Sequence, residues 1–89
     1  MENRIGLISI VVEAPRQTAE AVNELLSAYG DIIIGRMGLP YRKRGIHLIS
    51  VMVDGTNDAI GALTGKLGHL PGVSVKSVLT SKSYQEEDT

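Results

Sequence analysis

The side chains able to do chemistry in this chain are few and scattered. Arg36 stands inside an apolar stretch, in Arg36-Met37-Gly38-Leu39-Pro40. A charge in such a place needs a partner, either a salt bridge on an edge strand or an anion held at an interface. Arg42, Lys43 and Arg44 follow one another. They read as a solvated hairpin tip, because nucleic-acid binding shows a larger basic footprint with aromatics for stacking. His47 and His69 are the only histidines, and there is no cysteine. That set cannot close a transition-metal shell within one chain, and it excludes disulfides and thiolate chemistry. Glu13, Asp54 and Asp58 fall near loops, but their spacing marks no acid–base pair, and no Ser or Thr carries a nucleophile signature. Gly61–Lys66, GALTGK, imitates a phosphate loop. It is one residue short, has Leu67 where the magnesium-binding hydroxyl should stand, and lies inside a helical pattern rather than before one. No cofactor and no metal site are expected.

The elements that must position these residues follow from periodicity. Residues 4–13 are apolar on both alternating faces, Ile5, Leu7 and Val11 against Ile8, Ile10 and Val12, which suits a central strand. Glu13-Ala14-Pro15 breaks it, with Pro15 placed for the first turn of a helix. Over 16–29 the stripe Ala19, Val22, Leu25, Leu26 and Tyr29 has helical spacing, and Gly30 ends it. Residues 31–41 form a strand, with Ile32, Ile34, Arg36 and Gly38 on one face and Ile33, Gly35, Met37 and Leu39 on the other. Pro40 puts it at a sheet edge. A third strand covers 46–53, with Ile46, Leu48 and Met52 against Ile49, Val51 and Val53. Ile60, Leu63, Leu67 and Leu70 line a second helix behind the capping candidates Thr56, Asn57 and Asp58. Pro71-Gly72 reverses the chain into a strand over 73–79.

The order strand, helix, strand, strand, helix, strand is the split βαβ pattern of ferredoxin-like folds. The expected fold is α+β, a two-layer sandwich with a four-stranded antiparallel sheet and both helices on one face. One domain spans 1–79, and 80–89 is a polar, acidic, frayed tail. Within the second helix, Gly61 and Gly65 stand one turn apart, and each costs about 1 kcal/mol against Ala. Tight packing on a neighbouring backbone, or the approach of a ligand, would offset that cost.

The chain has 89 residues and a formal net charge of −1, with 43% hydrophobic residues and three tyrosines as its only aromatics. It is a small soluble domain with an aliphatic core. A balanced charge draws in neither nucleic acid nor an anionic membrane. The first residues form no signal peptide and no membrane span, so a cytoplasmic location is expected.

Arg36–Pro40, followed by Asn57-Asp58-Ala59-Ile60-Gly61-Ala62-Leu63-Thr64-Gly65-Lys66-Leu67-Gly68 and then Gly72-Val73, closely resembles the small regulator family of the iron-only hydrogenase system. Ile10–Leu26 is similar too, so the resemblance covers the chain to about Leu79, and the glycine-rich helix is its most specific part. It implies an ACT-like domain, similar to the C-terminal, nickel-binding half of nickel-responsive repressors, and a role tied to hydrogenase expression or maturation. The chain departs from amino-acid-binding ACT domains in having Glu13-Ala14-Pro15 where a glycine is common. It departs from the nickel repressors in having only His47 in comparable territory.

The reading that results is a non-enzymatic regulatory or sensory module. It works as a homo-oligomer, dimer or tetramer, built through the sheet, either by stacking on the face that the helices cannot cover or by extending the sheet edge to edge while a second dimer covers that face, and takes a small effector at a subunit interface. Glu13, Pro15, Arg36, Gly38, Gly61 and Gly65 are the candidate ligand contacts, and the stacked-sheet dimer would place a ligand between subunits, near Arg36 and the loop at Glu13–Pro15. The alternatives are a small enzyme or enzyme subunit using Arg36 and a loop carboxylate, and a metal-responsive transcriptional regulator-like domain.

Overall fold

The computed structural model describes residues 2–13 and 16–85. The elements are β1 (Glu2–Val12), α1 (Arg16–Ala28), β2 (Ile33–Tyr41), β3 (Ile46–Gly55), α2 (Asn57–Gly68) and β4 (Val73–Gln85). One antiparallel sheet has the strand order β2-β3-β1-β4. The strand carrying Pro40 is therefore an edge, where the missing N–H breaks no inner ladder bond.

Both helices pack on the same face. From the sheet, Ile8, Ile10, Val12, Val51 and Val53 are buried; from α1 come Val22 and Leu26, and from α2 come Ile60, Leu63 and Leu67. The core is wholly aliphatic, as the composition requires. α2 begins where Thr56 accepts a hydrogen bond from the Ala59 N–H at 3.1 Å, satisfying one of the free donors of the first turn. Lys66 does more than face solvent: its Nζ lies 5.1 Å from the ring centre of Tyr29, joining the two helices.

Four details differ from the periodicity reading. A single 3-10 turn occupies Gly30–Ile32, so β2 starts at Ile33. A bulge between Ile33 and Gly35 then shifts the register. Ile33 consequently pairs with buried Val53 on the helix side, together with Arg36 opposite Val51 and Gly38 opposite Ile49, while Ile34 is 60% exposed. β4 does not stop at Leu79 but continues to Gln85, because Arg4, Asn3 and Glu2 of β1 offer ladder partners to Ser83, Tyr84 and Gln85. The expected frayed tail is strand as far as Gln85; residues 86–89 lie outside the described residues. Finally, Gly61 and Gly65 are exposed, and a Cβ built on either meets nothing within 4 Å. The expected tight packing of α2 on a neighbour through these glycines does not occur within the chain, since the helix buries Ile60, Leu63 and Leu67 instead.

The strands run along the long axis of a body measuring 42 × 20 × 17 Å. One end carries Glu2, Asp54 and the start of α2 at Asp58; the other carries Glu13 and the β2–β3 hairpin.

Candidate functional site

The helix-bearing face holds Arg36 and Gly38. Arg36 projects toward α1, and its guanidinium donates to Asn23 Oδ1 at 2.6 Å. Its partner is thus a neutral amide rather than the carboxylate of a salt bridge, so the positive charge stays available to an anion. Gly38, on the same face of the same edge strand, has open space where a Cβ would stand.

Glu13 sits at the opposite end of β1. Its N–H donates to the Gly72 carbonyl at 2.8 Å, which ties the end of β1 to the turn before β4. Gly72 makes that turn with φ 75, a conformation that favours glycine. Arg36 is level with Ile8 through Val51, and Glu13 lies five residues past Ile8, about 17 Å along the strand. The structure does not bring the two together. Gly61 and Gly65 form a third location, on the outer surface of α2. Pro15 lies outside the described residues.

The β2–β3 hairpin is exposed, as a solvated tip would be. It is a 3-10 turn, Arg42–Arg44, closed by Gly45 at φ 64. Pro40, Tyr41, Arg42, Gly45, Ile46 and His47 line a shallow depression of about 350 Å³ beside it. The run of three cations was the sequence signal; what the hairpin places around them was not legible.

The second sheet face is bare of any cover by the described residues. Leu7 is 52% exposed, Met37 71%, Leu39 57%, Met52 42% and Val78 69%. Their pairing places them all on the side away from the helices: Leu7 opposite Met52 and Val78, Leu39 opposite Leu48. Of the two sets that alternate along β1 and β3, the one without intrachain cover is therefore Ile5, Leu7 and Val11 with Ile46, Leu48 and Met52. Arg36 and Gly38 are on the opposite face. Stacking of bare faces would leave them outside the contact, contrary to the expectation that Arg36 lies between stacked subunits. At the end of the bare face near Glu2, Asn3 Oδ1 and Asp54 Oδ1 are buried without a hydrogen-bond partner. No helix among the described residues is long and apolar enough to cross a membrane.

Comparison with known proteins gives this arrangement its context. The chain is similar over its fold to the uncharacterized protein TM1266 from Thermotoga maritima, with 40% identity and a TM-score of 0.87, covering 90% of this chain and 100% of that one. It shares its fold with the ACT domain from the GTP pyrophosphokinase of Chlorobium tepidum, at 23% identity and a TM-score of 0.72 over 85% of this chain and 99% of that one. A more distant likeness, at 14% identity and a TM-score of 0.50, is to the nitrogen regulatory PII-like protein CPII from Thiomonas intermedia, over 92% of this chain and 95% of that one. No curated protein sequence matches the chain. The family model of the TM1266-like iron-only hydrogenase system regulators matches residues 4–77, and the chain belongs to that family.

Proposed function

We propose that this chain is a non-catalytic cytoplasmic regulatory module of the iron-only hydrogenase system, working as a homo-oligomer paired through the bare face of its sheet. The observation that carries this reading is that face. Five large aliphatic or thioether side chains there are 42–71% exposed and are spread over all four strands. A contiguous apolar patch of that kind marks an interaction surface on a small soluble protein. The regulatory class is supported by the family and by the ACT fold.

An enzyme would need a carboxylate working with Arg36, whereas the group held there is the Asn23 amide. Arg36 suits recognition instead. A small anionic effector held by Arg36, with Gly38 admitting it close to the β2 backbone, would act on the edge strand. Glu13, Pro15, Gly61 and Gly65 remain candidates for effector contact at their own places.

Light scattering at micromolar concentration tests the assembly: a mass of at least a dimer is expected, and 9.5 kDa would overturn it. Thermal shift against a panel of small anions tests the effector. A ligand at about 100 times its dissociation constant adds about 2.7 kcal/mol to the folded state, and Arg36→Ala should abolish that gain. Turnover lost in Arg36→Ala would replace the regulatory reading with the enzymatic one.

A further inference from the structure

The body is electrically polar along its strands. At the Glu2 end lie Glu2, Asp54 and Asp58. Arg4 and Lys82 are the cations in those end segments. At the other end, which also holds Glu13, the hairpin between β2 and β3 carries Arg42, Lys43 and Arg44, with His47 just beyond. No hydrogen bond, ion pair or ring contact holds the hairpin cations among the described residues. The bare face joins these two poles. On that face, at the acidic end, stands the half-buried Asp54, opposite Ile5 of β1.

Two copies can stack bare face to bare face about a two-fold axis in two ways. An axis along the strands sets like pole over like pole. An axis across the strands reverses the direction of the second sheet but keeps β2 over β2 and β3 over β3. The partner's β2–β3 hairpin then overlies the far end of β3, where Asp54 stands. We infer that the bare face is covered by a second copy of this chain in the second orientation, with Arg42–Arg44 of each copy over Asp54 and the acidic end of the other. This rests on the assembly reading proposed above and adds its direction. Charge complementarity chooses between the two stackings, because charges set register and suppress wrong pairings more than they set affinity.

The test exploits distance within one chain. From Ile46 to Asp54 is eight residues of β3, about 27 Å, well beyond the screening length of about 10 Å at 0.1 M salt. Any coupling between the hairpin cations and Asp54 must therefore pass between copies. Dimer dissociation constants are measured by analytical ultracentrifugation for the full chain, for Arg42→Glu/Arg44→Glu, for Asp54→Lys and for the combination. Each reversal should weaken the dimer by on the order of tenfold, and the combination should recover most of that loss. Asp54→Asn, which keeps the side chain's shape, should weaken it less and confirm that folding is intact by its unchanged thermal unfolding at low concentration. Additive losses, or none, in a wild-type chain that is dimeric would overturn the orientation and leave the assembly reading standing. A monomeric wild type would remove both. A dimer indifferent to these charges, with inorganic phosphate binding lost in Arg42→Glu/Arg44→Glu, would assign the hairpin to a free anion and overturn the inference.

Discussion

Along β1, Ile8, Ile10 and Val12 are buried, while Leu7 between them is 52% exposed. Along β3, Val51 and Val53 are buried, while Met52 is 42% exposed. The two faces of the sheet are built from the same kinds of side chain, on the same strands, at adjacent positions. One is closed by Val22 and Leu26 of α1 and Ile60, Leu63 and Leu67 of α2; the other has no cover among the described residues. Local sequence does not separate them. Their difference lies in what the chain places above each, and an aliphatic face without an in-chain cover is retained where something else covers it.

Substitutions of one kind on the two faces should part most widely. Val51→Asp puts a charge into the closed face with nothing to pair it and should cost about 4 kcal/mol or more, leaving the chain unfolded by circular dichroism. Met52→Asp, one residue on, should keep the folded spectrum and shift the light-scattering mass to that of a monomer. Similar behaviour of the two variants would break the distinction between the faces.

Leu63 is fully buried between α2 and the sheet. Leu63→Ala should lower stability by about 2–5 kcal/mol in urea unfolding, with the same loss at all protein concentrations because it acts within one copy. Thr56→Ala should remove the acceptor for the Ala59 N–H and cost about 1 kcal/mol by the same measurement.

The smallest effect carries the opposite sign. Gly61→Ala and Gly65→Ala each add a methyl group into open space and should raise stability by about 0.5–1 kcal/mol, read at low concentration. A gain that reverses into a loss as concentration rises would show that the outer surface of α2 also meets a second copy or a ligand. That would sharpen the comparison by adding a third surface.

The candidate site was less legible than the fold. Arg36 was conspicuous because a charge inside a strand needs an explanation, yet its partner, Asn23, is 13 positions away on another element and no spacing rule connects them. A stacked-sheet dimer would bring a ligand near both Glu13 and Arg36, but the antiparallel register holds them about 17 Å apart along the strand. The buried Asp54 oxygen gave no signal in sequence, since an aspartate before a glycine reads as an ordinary turn.

The sequence by itself determined the element order, the edge position of β2 through Pro40, the cap at Thr56 and the buried stripe Ile60, Leu63 and Leu67. These follow from backbone chemistry and from periods of 2 and 3.6 residues, which act over a few neighbouring positions. Three things needed the tertiary structure. The bulge at Ile33–Gly35 turned Ile33 inward, because register is a property of two strands. β4 ran on to Gln85, because polar residues with little strand signal of their own found ladder partners on β1. The choice of which apolar set on β1 and β3 stays bare was also tertiary. Alternation makes the two faces equivalent until right-handed crossovers commit both helices to one of them.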